Sequence, residues 1–320
     1  MKINIYDDMM KKVAVIENRY ISCFWAEGYN SAQPFTLEVP NSNFLRGKIL
    51  TDYYVGRTDR KTMMVIESVE TTKDKIVATG RQATALLDNV AFVDTLKAGS
   101  VIDKVIPQAY NQRKTKCLDF KETNLNVRYA QQISNKSFLE LSETVADATD
   151  TGLKVIRNGK RLVAEFYKPS EEPKKTFSEA FGNLMINSIL SDEKSYKNYA
   201  IVLGEGTGNE RIRVDVDLSG GADKRELIVD ARDQQSDKET PAEYQAKLKA
   251  RGTEKLLEHQ PVFKIAVTPD SSEFMKSFDL GDVVSIRTEE YNFQARIIRF
   301  QQKSQNNQIE TIIEIGQIRR

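Results

Sequence analysis

Residues 63–90 read MMVIESVETTKDKIVATGRQATALLDNV. Apolar residues alternate over 63–69 and 75–79, on either side of a polar turn at 71–74. That is the pattern of a hairpin with one buried face. After Gly80 the spacing changes, and 82–90 reads as a short helical stretch. The unit has an echo near the other end of the chain. Phe44-x-x-Gly47 followed by Ile49-Leu50 resembles Phe278-x-x-Gly281 followed by Val283-Val284. Met64, Ile66 and Val69 then align with Ala295, Ile297 and Phe300, and Gly80 and Gly316 are each expected to follow the last strand. Read as a repeat, this predicts two related β-barrels in one chain. Strand-turn-strand patterns recur widely, so chance is the competing reading.

Around this unit the N-terminal third has period two: Ile21, Cys23 and Trp25, then Phe35, Leu37 and Val39, alternate with polar residues. Trp25 is most simply a core residue. Residues 107–136 are polar and weakly patterned. Ser137-Phe138-Leu139-Glu140 fits a capping box, with Phe138, Leu141, Val145 and Ala148 following at helical spacing and Gly152 as the expected stop. Asn158-Gly159 suits a two-residue type I′ loop, which would set Val155 opposite Leu162 and Leu153 opposite Ala164. Pro169 and Pro173 read as the exit linker of this helix-hairpin unit.

The last part returns to strands at 199–203, 211–217 and 227–229, and later at 263–267, 283–287, 293–300 and 309–315, with a polar turn at 304–307. One helix interrupts them. Thr240-Pro241-Ala242-Glu243 is a second capping box with Pro at the first helical position, and Tyr244, Leu248 and Leu256 share a face with Gly252. The expected fold class is therefore α+β and β-rich: two β-barrels with an inserted small helix-hairpin subdomain. The expected domains are 1–105 with 175–235 (first barrel), 106–174 (insert) and 236–320 (second barrel with one helix).

The composition narrows the chemistry. The chain has 320 residues, enough to bury roughly 75% of its unfolded surface without a metal or disulfide staple. With 47 basic and 46 acidic residues the net charge is +1, which argues against holding nucleic acid by bulk electrostatics. Two distant cysteines, Cys23 and Cys117, make neither a disulfide framework nor a zinc set. Any Ser-His-Asp or Cys-His triad would have to use His259, the single histidine. No GxxxxGK[ST] loop, signal h-region or bilayer-length apolar run is present, so folding in a cytosol is the default expectation.

The remaining candidates each have a plain reading. Gly204, Gly206 and Gly208 follow a strand, but the next run is strand-like rather than helical, which favours a glycine turn over a phosphate site. Asp215, Asp217, Asp230 and Asp233 could serve glycoside hydrolysis or bind a hard cation. Arg211, Arg213, Arg225 and Arg232 are interleaved with them, and charge pairing on a surface is the favoured reading. His259 at a helix end would meet the last carbonyls of that helix. Arg57, Arg60 and Lys61, and Arg113, Lys114 and Lys116, are basic clusters without aromatic interleaving and read as solvated loops.

The order of segments resembles the tail-tip hub family of siphophages, related to the baseplate hubs of contractile tails. The matching pieces are 63–90, the helix-hairpin unit 137–167, TFSEAFGNL (176–184), NYAIVLGEGTGNERI (198–212), RELIVDARD (225–233), YQAKLKARGTEKLLE (244–258) and LGDVVSI (280–286). The resemblance implies tube-protein-like barrels and a homotrimer. It implies partners too: a distal tail protein or tail tube above, a central fibre or receptor-binding protein below, and phage DNA passing through the lumen without sequence-specific binding. It carries no catalytic motif, so no enzyme activity, cofactor, metal or site residue is expected from it. The expected location is the virion tail tip, with the host cytoplasm during assembly. Arg320 follows closely on the last expected strand, so no C-terminal peptidase or glycanase module is expected. The alternative is a carboxylate-dependent cell-wall glycan hydrolase built on the four aspartates above.

Overall fold

The computed structural model describes residues 1–17, 19–113, 117–234, 239–269, 277–289, 292–306 and 308–317. It is a β-rich α+β fold with a long sheet curled into a half-barrel. Internal contacts divide it into two compact units, Met1–Ser188 with Ile265–Arg320, and Ile189–Lys264.

The long sheet uses one five-strand order twice. In the first copy the order is Ser22–Gly28, Pro34–Pro40, Lys75–Gln82, Met63–Thr71, Tyr54–Arg57. In the second it is Leu184–Asp192, Val262–Pro269, Gln308–Gln317, Asn292–Gln305, Val283–Arg287. The hydrogen bonding repeats in detail. Asp52 N donates to Ile66 O at 2.9 Å and Ile66 N to Tyr53 O at 2.8 Å. Gly281 N donates to Ile297 O at 2.9 Å and Ile297 N to Asp282 O at 3.0 Å. Asp52 and Gly281 both have positive φ, 63° and 85°. One step past each isoleucine the strand bulges, between Ile66 and Ser68 and between Ile297 and Arg299. A bulge sharpens local twist, which bends both hairpins the same way.

Met64 and Ile66 thus occupy the places of Ala295 and Ile297, as the sequence spacing predicts. The upstream half of the match slips. Val283-Val284 corresponds to Tyr54-Val55, not to Ile49-Leu50. Phe278 packs edge-on against Phe177, whereas Phe44 is exposed on the short helix Asn43–Arg46. Gly80 and Gly316 lie inside their strands rather than after them.

Residues 106–174 do not separate from the larger unit, although sequence patterning set them apart. Tyr54, Met63 and Val65 of the long sheet join Tyr110, Phe138 and Phe166 in one apolar cluster, so no boundary of weak contact runs between them. The segment that does separate is 189–264. It takes in the end of the second copy's first strand and the start of its second, and the stretch between those strands, 193–261, stands where the first copy has only residues 29–33.

Several local expectations are corrected. The 82–90 stretch is a 3-10 helix, Ala83–Asn89. The weakly patterned 107–136 region begins inside the helix Ile102–Arg113, hidden because Pro107 lies within it. Proline cannot donate to the carbonyl four residues back, and that carbonyl, on Asp103, accepts from Thr123 N instead. The helix Phe138–Ala148 is capped by Ser137, but Glu140 pairs with Lys136 rather than closing a box. Asp150 at φ 50° turns the chain after it, and Gly152 opens the next strand. The hairpin Gly152–Asn158 with Arg161–Tyr167 pairs Val155 with Ala164 and Leu153 with Phe166. Its loop is Gly159-Lys160 with Gly159 at φ 60°, the glycine-first turn. The slide by one residue on each strand keeps every side chain on its expected face. The exit segment is not a free linker: Lys174 N donates to Val283 O, and Lys175–Ser178 pairs in parallel with Val283–Arg287. Part of the expected 304–307 turn, Asn307, lies outside the described residues.

In the smaller unit the strands Tyr199–Leu203, Arg213–Asp217 and Glu226–Asp230 form a sheet with Tyr199–Leu203 central. The helix Pro241–Glu258 has the full Thr240–Glu243 capping box. It covers one sheet face, burying Ala200, Val202, Val216 and Val229 against Tyr244 and Leu248. A Cβ on Gly252 would meet Val202 Cγ2 at 2.6 Å and Val216 Cγ2 at 2.7 Å, so the close approach requires glycine.

Candidate functional site

Of the carboxylates singled out by sequence, Asp215, Asp217 and Asp230 lie on the uncovered face of the smaller unit's sheet, and Asp233 lies in the turn that follows it. Strand registers set Asp217, Tyr199 and Glu226 in one row, Asp215, Ile201 and Ile228 in the next, and Arg213, Leu203 and Asp230 in the third. Asp215 and Asp230 are thus two strand spacings apart across the sheet and one row apart along it, about 12 Å between backbones. All four aspartates are exposed. Arg213 donates twice to Asp215 and Tyr199 Oη once, at 2.7, 2.9 and 2.8 Å. Asp217 accepts from Ser219 and pairs with Lys224. Asp230 accepts from Arg232 and Arg211. Asp233 accepts from Gln234. These bonds, to Arg213, Ser219 and Arg232 above all, hold the carboxyls of Asp215, Asp217 and Asp230 below their ordinary range. A glycosidase needs a carboxyl raised by burial to act as acid, and these three are shifted the other way. Arg225, the fourth interleaved arginine, bonds Glu193.

The glycines make a turn. Gly206 and Gly208 have φ of 110° and 54°, and a short 3-10 turn at Gly208–Glu210 leads into the strand Arg213–Asp217. A Cβ on Gly204 would meet Tyr244 Oη at 2.6 Å, the hydroxyl that accepts from Glu205 N and donates to Gln234 O. His259 ends the helix, its Nδ1 2.8 Å from Lys255 O. No cluster of three metal-ligating side chains occurs among the described residues.

The Arg57–Lys61 cluster is not a solvated loop. Lys61 is exposed, but Arg57 lies over the Trp25 ring and Arg60 over Phe300, both with buried side chains. Arg60 donates to both oxygens of the fully buried Glu27, at 2.9 and 2.6 Å, and to Asp279 at 2.9 Å. Trp25 Nε1 and Thr62 Oγ1 supply further donors to Glu27. Burial alone raises the Glu27 carboxyl, but Arg60 and these donors win and hold it below its usual value. This cluster sits where the two copies meet: Glu27 is on the first strand of one copy, and Phe300 on the bulged strand of the other. Sequence reading missed it. The signal available was a charged residue, Glu27, inside an otherwise apolar strand. Arg113 is exposed and donates to Ala91 O, while Lys114 and Lys116 lie outside the described residues.

The third feature is a pair of strand edges. At the junction of copies, Asn292–Gln305 pairs antiparallel with Ser22–Gly28, from Arg299 opposite Gly28 to Gln305 opposite Ser22. The corresponding edge of the first copy, residues 68–71, has no strand beside it among the described residues. Leu184–Asp192, the counterpart of Ser22–Gly28, ends the sheet. It exposes Met185, Ile189 and Leu190 to 59, 41 and 47%. An unpaired apolar edge is a template for another chain, which isolated proteins normally blunt with charge or proline.

Residues 2–317 match the model of the family described as Siphovirus ReqiPepy6 Gp37-like protein. No curated protein sequence matches the chain. Among solved structures, the 43 kDa tail protein of prophage MuSo2 from Shewanella oneidensis is similar at a TM-score of 0.67. It is 14% identical, with 99% of this chain and 98% of that one covered. A tail protein from Neisseria meningitidis MC58 gives 0.64 at 13% identity, covering 98% and 96%. Prophage tail protein gp18 from Listeria monocytogenes EGD-e gives 0.58 at 13%, covering 99% and 94%. At such identities these likenesses establish the fold. The family match, over nearly the whole chain, establishes membership: the chain belongs to the Siphovirus ReqiPepy6 Gp37-like protein family.

Proposed function

We propose that this member of the Gp37-like family is the hub of a phage tail tip, a homotrimer with two tube-like barrels per subunit. The observation that carries the reading is the five-strand order used twice in one chain, with bulge and turn repeated at matching positions. Three chains then present six similar modules towards a six-fold tail tube or distal tail protein. They keep true three-fold symmetry towards a central fibre or receptor-binding assembly. A net charge of +1 suits a wall past which DNA slides without being held. The arginine-paired carboxylates of the smaller unit suit a charge-paired surface better than catalysis.

The test is solution mass by light scattering over a concentration series, followed by imaging. A three-chain mass and a ring with a central channel are expected. A one-chain mass at every concentration, and with the tail tube added, would reject the hub.

A further inference from the structure

The two copies are joined inside the chain by a strand pair, and the same kind of pair is left half-made at each end. The second copy's bulged strand, at 299–305, takes Ser22–Gly28 beside it. The first copy's bulged strand carries its matching edge at 68–71, where Ser68, Glu70 and Thr71 are exposed. The strand matching Ser22–Gly28 is Leu184–Asp192, which has Val262–Pro269 on one side and no strand on the other among the described residues.

We propose that 68–71 of one subunit pairs antiparallel with Leu184–Asp192 of the next, reproducing between chains the junction present within each chain. The occupant of each edge is therefore a second copy of this protein. Three observations converge on it. The internal junction fixes the direction of pairing and shows that the bulged strand accepts a neighbour on that side. The open strand carries apolar Met185, Ile189 and Leu190 in solvent, which pairing would cover. The two edges differ from one another, so the contact is head-to-tail, and a head-to-tail contact either closes a ring or runs on as a filament. The number of chains in the ring rests on the hub reading. Six modules at about 60° each close with three subunits, and every inter-module seam is then a continuous sheet.

Disulfide trapping tests the pairing. Ser68→Cys or Glu70→Cys is combined in one chain with Met185→Cys, Ile186→Cys or Ser188→Cys, and each protein is oxidised at the concentration where light scattering gives its largest mass. Ser22→Cys with Gln305→Cys, opposite one another inside the chain, serves as the positive control. Unsubstituted protein, with Cys23 buried and Cys117 half-buried, sets the background. For at least one combination, most of the chain is expected to move from the one-chain band to two- and three-chain bands on a non-reducing gel, and to return on reduction. A three-chain mass with only one-chain bands in every combination would overturn the edge pairing and leave the hub intact. A one-chain mass without crosslinks would overturn both.

Discussion

The Arg60–Glu27 pair shows how far one residue's setting can depart from its sequence neighbourhood. Arg57, Arg60 and Lys61 look alike in a polar loop, yet Arg57 and Arg60 are drawn under the sheet by Trp25 and Glu27. Nothing local announces this, because the partner is 33 residues away. Removing one member of a buried pair costs about 3–5 kcal/mol, since the other charge is left without its counterion. Arg60→Ala should therefore lower unfolding stability by that amount in a denaturant titration. Arg60→Met with Glu27→Gln should recover much of the loss. The depressed Glu27 carboxyl gives the pair a pH signature. Its contribution is complete above the ordinary carboxylate range and is lost as pH falls through the lower folded value. Glu143 runs the other way. Burial, with Asp147, Asp88 and Glu140 nearby, pushes it up to about 7 despite a bond from the Ala32 backbone. The folded state then holds a proton that the unfolded state releases above its ordinary range. Stability should fall as pH rises from the ordinary carboxylate range to about 7. Glu143→Gln should remove that slope and leave the protein more stable than the parent at pH 8 (thermal melts at both ends of the window would show it).

At the scale of elements, alternation made the strands legible and tight turns made them misleading. The paired strands around 63–82, the Thr240 capping box and the role of Gly252 follow from period two, from local donors and from the lack of a Cβ. The helix Ile102–Arg113 escapes such reading because its proline is tolerated only by a tertiary bond, from Thr123 N to Asp103 O. The upstream half of the repeat escapes because Asp52 and Gly281 do one backbone job with different residues. Their surroundings also differ. A Cβ on Gly281 would meet the Tyr29 ring at 2.8 Å and Tyr167 Oη at 2.9 Å, whereas Asp52 is exposed. Asp52→Gly should therefore be near neutral or stabilise by a few tenths of a kcal/mol, as glycine relieves positive φ at some entropic cost. Gly281→Asp should destabilise by roughly 1–3 kcal/mol from backbone strain, with the two tyrosines adding to it. Equal effects at the two sites would mean that the turns are not the matched pair their hydrogen bonds describe.

For the whole molecule the decisive quantity is what a lone chain leaves exposed. Arginine–carboxylate pairs on the smaller unit are already satisfied within the chain, so they give little drive to associate. The apolar edge strand is different, because it exposes apolar side chains and has no strand on one side among the described residues. Sequence reading could quote 176–184 as a family segment but could not see this edge, since exposure of Met185 depends on which strands fall beside it. A lysine on an edge strand is the usual device against pairing. Met185→Lys should thus leave the monomer's far-ultraviolet spectrum and melting temperature near those of the parent, as the parent side chain is already largely in water. Burying one such side chain is worth about 1.5–3 kcal/mol. Each seam should therefore weaken by roughly 10- to 100-fold in its dissociation constant, and a ring that needs every seam should lose more than any one of them. Sedimentation across a concentration series would read this as a shift of the three-chain boundary to higher protein concentration. A control at Ile228→Lys, on the uncovered face of the smaller unit's sheet, should leave that boundary in place. If the control moved it and Met185→Lys did not, association would run through the smaller unit and not through the sheet edges.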